Sequence, residues 1–189
     1  VLAVSVVRLS KTNVLVQELF CIETLARVDT LCLDKTGTIT EGKMEVADCI
    51  ALNIEKDQMK EILSAIGKAS QDSNATIEAI REAFQKQTDW KTKETVAFSS
   101  EKKWSGVAFE KQGSYILGAP EYILGEQKDR YQKQIEKYSN DYRVILLAHS
   151  EQDFQNRELP ENIEVLGLVL ITDKIRENAK KTLEYFKGQ

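Results

Sequence analysis

The apolar and polar positions divide the chain into stretches of different period. Residues 1–7 are almost wholly apolar, but Arg8 and Lys11 interrupt the run far short of the roughly 18–20 residues that a membrane span requires. Two readings stand for this opening: an amphipathic first helix, or the cytosolic end of a longer transmembrane helix. Between Glu18 and Val28, apolar Leu19, Ile22, Leu25 and Ala26 recur at helical spacing, which predicts a short amphipathic helix. Thr30-Leu31-Cys32-Leu33 is a short, mostly apolar run that stops at Asp34, and the polar Lys35-Thr36-Gly37-Thr38 follows. This pattern predicts a buried strand delivering an acid to a loop at its carboxyl end, where open α/β sheets place their ligands.

From Met44 the pattern predicts a strand over 45–52 and then two helices. The first, over 56–68, sets Met59, Ile62, Leu63 and Ile66 on one face; the second, over 75–85, carries Ile77, Ile80 and Phe84, with Ser73 or Asn74 as its cap. A β region follows, with strands over 95–98, 104–110 and 114–117, the last two joined through Gln112-Gly113 as a hairpin. Pro120 suits the first turn of a helix, 128–140 reads as a polar helix, and 143–148 as a strand. The polar stretch 151–161, with Pro160, reads as a linker or a crossing between domains. Val165-Leu166-Gly167-Leu168-Val169-Leu170-Ile171 is again near-continuously apolar and ends close to Asp173; a helix over 176–187 follows. Two buried-type strands, each ending in an aspartate and separated by an α+β segment, predict an α/β host domain that is discontinuous in sequence and carries a large insertion.

Composition narrows the class. With 189 residues, 42% hydrophobic and 30% charged, the chain supports one ordinary core or two small ones and is not a disordered tail. Its 26 Lys and Arg against 30 Asp and Glu give a net charge of −4, a poor match to a phosphate-neutralising surface, so nucleic acid is not an expected partner. Cys21, Cys32 and Cys49 suit neither a disulfide framework nor a paired-cysteine zinc site and read as reduced cytosolic thiols. No signal peptide is visible, and Val1 in place of a starting Met suggests a piece of a longer protein.

The chemistry concentrates at Asp34-Lys35-Thr36-Gly37-Thr38-Ile39-Thr40. A carboxylate on a strand-end loop can attack a phosphoryl group and form an acyl phosphate. Lys35 can neutralise the transferring oxygens, Gly37 admits phosphate close to the backbone, and Thr36 and Thr38 can donate to it. A magnesium ion is needed to balance the anionic nucleophile against the anionic phosphate. Phosphatases of this broad chemistry carry a second aspartate two positions after the nucleophile as general acid and base. Here that position is Thr36, so hydrolysis of an aspartyl phosphate is expected to be slow and the intermediate to persist.

That seven-residue string is identical to the phosphorylation motif of P-type cation-transporting ATPases in its form with Ile at the sixth place, and the resemblance extends across nearly the whole chain. It implies a haloacid-dehalogenase-like (Rossmannoid) phosphorylation domain, here incomplete, interrupted by an α+β nucleotide-binding domain with an antiparallel sheet flanked by helices. The domains implied are a stalk or transmembrane-helix end over 1–20, a partial phosphorylation domain over 21–43 and 162–189, and a nucleotide-binding domain over 44–161. Phe98-Ser99-Ser100-Glu101-Lys102-Lys103 resembles the family segment in which the Phe stacks on adenine and the last Lys lines the nucleotide pocket, nominating Phe98 and Lys103. Gly118-Ala119-Pro120-Glu121 resembles the family's Lys-Gly-Ala-Pro-Glu, with Leu117 where the lysine stands. Asn74, before Ala75-Thr76, falls where many relatives carry a Glu that meets the adenine amino group; a helix cap is its alternative role. Arg143 matches an arginine that reaches nucleotide phosphates. Asp173-Lys174-Ile175-Arg176 resembles the family's Asp-Pro-Pro-Arg turn, in which the Asp lies near the ribose and hinge and the Arg helps close the domains.

The resemblance implies ATP hydrolysis through a phosphoenzyme on Asp34, with ATP as substrate and magnesium as cofactor, the ion held in part by Asp34 and the Thr36 carbonyl. It implies a cytoplasmic domain of a membrane-embedded, bacterial pump that moves an inorganic cation, leaning toward hard cations such as calcium. The chain ends at Gln189, before the family's remaining magnesium- and phosphate-binding motifs, so the piece itself is expected not to turn over ATP. Two other functions stay open: a soluble haloacid-dehalogenase-type phosphatase, against which Thr36 argues, and a non-catalytic nucleotide-binding module.

Overall fold

The computed structural model describes residues 2–18, 20–25 and 27–188. They form two compact units, Val1–Thr38 and Ile39–Gln189.

In the first unit, helix α1 spans Leu2–Ser10. Its terminal carbonyls are met by hydroxyls, Ser10 Oγ donating to Val7 O at 2.9 Å and Thr12 Oγ1 to Leu9 O at 2.7 Å, which satisfies groups that a helix end leaves open. Helix α2 is Cys21–Leu25, shorter than the helix expected over 18–28; Leu19 and Ala26, two of the positions that suggested it, lie outside the described residues. Among the described residues, no helix is long and apolar enough to cross a membrane. The strand expected over 30–34 is not formed. A strand exists only through its ladder partners, and no described segment pairs with this one.

The second unit is built on a six-stranded sheet in the order β1-β6-β5-β4-β3-β2. Its strands are β1 (Thr40–Ala51), β2 (Thr92–Val96), β3 (Trp104–Phe109), β4 (Gly113–Gly118), β5 (Arg143–Ser150) and β6 (Glu164–Ile175). Every adjacent pair is antiparallel. The near-continuous apolar strand that the sequence set in the host domain is β6, which lies between β1 and β5, pairing Val169 with Cys49 on one side and with Ile145 on the other. A near-continuous apolar run reports burial on both faces, whether the ladder is parallel or antiparallel. Both faces of β6 are covered, Val169 and Ile171 packing in one core and Val165 and Leu168 in the other.

Helices α3 (Lys56–Ala69) and α4 (Ala75–Ala83) cover the first face, with Met59, Leu63, Ile77 and Ile80 meeting Tyr115, Leu117, Leu147 and Val169. The short α5 (Pro120–Ile123) and the polar α6 (Lys128–Ser139) cover the second, where Ile123 and Tyr131 meet Ile116, Leu146 and Ala148. Alternation along β4 thus sends Tyr115 and Leu117 one way and Ile116 the other, as a pleated strand requires. Helix α7 (Ala179–Lys187) closes the chain.

Inside the first core Tyr115 packs on Trp90, Phe109 and His149, with ring centroids 5.8, 6.0 and 4.8 Å away. Burial disfavours its charged form and pushes the phenol up to about 12. An unfolded tyrosine ionises near pH 10, so this contribution to stability is complete below about pH 10 and is lost as pH rises toward 12. Chemical denaturation across that range should show stability falling more steeply in the parent chain than in Tyr115→Phe; equal slopes would contradict the buried phenol.

Candidate functional site

Two sets of residues carry the candidate chemistry, one in each unit. In the first, Asp34 is exposed and leads into a turn over Lys35–Ile39. Thr36 there is extended (φ −77°, ψ 119°) and Gly37 left-handed (φ 78°, ψ −10°). A Cβ on Gly37 would meet nothing within 4 Å, so its conformation rather than crowding calls for glycine. The turn keeps Asp34, Lys35, Thr36 and Thr38 within five consecutive residues and exposed.

The second set lies at one end of the sheet, where β3 begins, β4 ends and β5 begins. A cavity of about 550 Å³ opens there, and its walls include Asn74, Phe98, Lys103, Leu117, Gly118 and Arg143. Five residues nominated from separate stretches of sequence (Asn74, Phe98, Lys103, Gly118 and Arg143) are thus brought to one place. Asp173 and Arg176 are not in its walls. They sit at the end of β6, where Asp173 is opposite Met44 and the Arg176 amide donates to Ile39 O at 3.0 Å. Both prolines of the family turn are absent here, and β6 accordingly runs as a ladder through Ile175, which pairs with Thr40.

Local chemistry explains how each wall is set. Asn74 caps α4, its side-chain oxygen accepting from Ile77 N at 3.0 Å; the capping role holds, and the same residue faces the cavity. Lys103 adopts a left-handed conformation (φ 58°) at the end of a tight turn in which its amide donates to Ser99 O at 2.9 Å. The turn separates two adjacent lysines: Lys102 ion-pairs with Glu158 at 2.7 Å, while Lys103 lines the cavity. Gly118 sits where strands crowd, since a Cβ would lie 2.5 Å from Lys103 O and from Trp104 Cβ. That close approach lets Ala119 N donate to Lys103 O at 3.0 Å, closing the wall between β3 and α5.

The cavity is amphipathic in a useful way. Ile77, Ile80, Leu117, Pro120 and Ile145 make an apolar floor, and Lys103 and Arg143 bring cations to it. Such a surface can take a flat apolar group beside an anionic one. Leu117 is only 5% exposed and belongs to the floor. Sequence reasoning missed Ser105 and Ser139 in the walls, which no motif marks and which only the meeting of β3 and α6 brings there; Glu121, also in the walls, stands in the quoted Gly-Ala-Pro-Glu run but was given no role.

A family model for haloacid dehalogenase-like hydrolases matches residues 28–189. The chain belongs to the haloacid dehalogenase-like hydrolases. Among the relatives of this chain, a protein named "Probable cation-transporting ATPase exp7" from Streptococcus pneumoniae serotype 4 is 39% identical over all of this chain and 24% of its own length. The calcium-transporting ATPase CtpE of Mycobacterium tuberculosis is 36% identical over 99% of this chain and again 24% of its own length. The chain thus spans about a quarter of the length of the curated relatives it matches, which are named as cation- or calcium-transporting ATPases and, in Mycoplasma genitalium, as a probable cation-transporting P-type ATPase that is 28% identical over 97% of this chain. In fold it is similar to a zinc-transporting PIB-type ATPase, with a TM-score of 0.72 at 17% identity over 92% of this chain and 26% of the other. It is also similar to the catalytic domain of the CPx-ATPase CopB-B, with a TM-score of 0.54 at 16% identity over 92% of this chain and 55% of that one.

Proposed function

We propose that the chain is the ATP-binding and phosphorylation region of a P-type ATPase, with adenine against Phe98 and the phosphates toward Lys103 and Arg143. The observation that carries this reading is the convergence of Asn74, Phe98, Lys103, Gly118 and Arg143 on one cavity. An aromatic wall suits a base and paired cations suit a polyphosphate. In the whole protein a carboxylate oxygen of Asp34 attacks the γ-phosphorus, the acyl phosphate bond forms, and the bond to the ADP leaving group breaks. With Thr36 in place of a second acid, the aspartyl phosphate lives long enough to drive a conformational cycle, which speaks against a soluble phosphatase.

On this reading residues 1–20 are a stalk, 21–43 and 162–189 contribute to the phosphorylation domain, 44–161 form the nucleotide-binding domain, and the β1–β6 ladder is where the two meet. Asp173 and Arg176 at its end then serve the hinge. The parent is a bacterial membrane-embedded pump that moves an inorganic cation, a view supported by relatives named as calcium-transporting ATPases. Magnesium is the cofactor this chemistry requires. Asp34 and the Thr36 carbonyl are two donors toward a six-oxygen shell, and among the described residues no group of three His, Cys, Asp or Glu could hold a metal ion. These donors do not make a magnesium site by themselves, so the reading rests on the carboxylate and the cavity.

In the whole protein, radiolabelled ATP should leave an acid-stable, hydroxylamine-sensitive label that Asp34→Asn abolishes, while residues 1–189 alone stay blank. Label that survives Asp34→Asn would remove the nucleophile from this carboxylate.

Leu117 supplies a second expectation. Without the family lysine, binding leans on the apolar floor, so Leu117→Lys should tighten ATP about fivefold and leave AMP within about twofold in calorimetric titration. Equal changes for both nucleotides would show that this side chain does not face the phosphates.

A further inference from the structure

Phe98 presents a problem that the sheet does not solve. It lies beyond the end of β2, whose last ladder pair is Val96 with Gly106, and it is 43% exposed. Neither strand pairing nor core packing therefore fixes it. Its backbone N–H is nevertheless held: both carboxylate oxygens of Asp72 accept from it, at 3.2 and 3.1 Å. Asp72 is 26 residues away in sequence, in the connection between α3 and α4.

That connection is itself fastened. Arg81 on α4 donates from Nε to Gly67 O at 2.8 Å and from Nη2 to Ser70 O and Asp72 O at 3.1 and 3.3 Å. Ser70 Oγ accepts from the Asp72 amide at 3.2 Å. Two residues further on, Asn74 caps α4 and enters the cavity wall. One short segment thus supplies Asn74 to the cavity and grips the backbone from which Phe98 reaches it.

We infer that Asp72 is a positioning residue for nucleotide binding: its carboxylate fixes the backbone of Phe98 and so holds the phenyl ring against the base, a role that rests on the reading of the cavity as a nucleotide site. A purely structural role fits poorly, because a ring this exposed returns little burial for being held in place. The single N–H is shared by the two oxygens in a charge-assisted three-centre bond, so the Asp72 carboxylate holds the Phe98 backbone from either oxygen. Asparagine at 72 would keep one acceptor oxygen and lose the charge, whereas alanine would lose both.

The test titrates the 189-residue chain with ATP and, separately, with inorganic tripolyphosphate, which has no base to stack. Phe98→Ala should weaken ATP about tenfold. Asp72→Ala should weaken ATP about fivefold and leave tripolyphosphate unchanged, and Asp72→Asn should stay within about twofold of the parent. In the double variant, Asp72→Ala should add nothing to Phe98→Ala, because the carboxylate acts only through that residue. Losses that multiply in the double variant, or an equal loss for tripolyphosphate, would overturn the positioning role. So would an unchanged ATP affinity in Asp72→Ala while Phe98→Ala binds weakly, a result that leaves the nucleotide site standing. If Phe98→Ala binds ATP as the parent does, the nucleotide reading falls and this role with it.

Discussion

Strand β6 is apolar on both faces and cannot be left at an edge. Leu168 and Val169 are fully buried on opposite sides of the sheet, so helices must cover both. α3 and α4 do so on one side and α5 and α6 on the other. Each fully buried aliphatic side chain of this kind contributes about 1.5–3 kcal/mol relative to exposure, which makes the strand the anchor of the second unit. Gly167 marks how tightly it is seated, since a Cβ there would lie 2.5 Å from Ile50 O and 2.8 Å from Met59 Sδ.

The cavity at the end of the sheet is lined from both covering layers. α4 brings Asn74 from one side, and α6 brings Ile135 and Ser139 from the other. The start of β5 brings Arg143 between them, with Ile145 and Leu117 beneath. At Gly118 β3 and β4 come too close for a side chain. The site therefore follows from how the layers are stacked, and its chemistry from which residues stand at the ends of the elements.

Much of this was legible along the chain. The faces of α3 and α4, the β3–β4 hairpin and the Asn74 cap are local patterns, and local patterns survive in the structure. Gly113, which takes a positive φ of 75°, supplies the hairpin turn that Gln112-Gly113 suggested. What sequence could not give is the pairing of strands distant along the chain. The run from Val165 to Ile171 signalled burial on two faces but not which strands would lie beside it, and Thr30 to Leu33 signalled a strand without a partner. β1 begins at Thr40, earlier than its apolar pattern, because Ile175 at the far end of β6 extends the ladder to meet it. The Asp72–Phe98 contact joins residues of two separate connections with no motif between them, so only the fold reveals it.

The central claim is that the cavity at the ends of β3, β4 and β5 binds adenine nucleotide, and amide NMR on the 189-residue chain tests it most directly. Adding ATP to millimolar concentration should shift the amides of Phe98, Lys103, Gly118 and Arg143 together, along one saturating curve, while those of the opposite sheet end, such as Gln112 and Ser150, stay still. Shifts that gather elsewhere, or none near Phe98 at that concentration, would contradict the account.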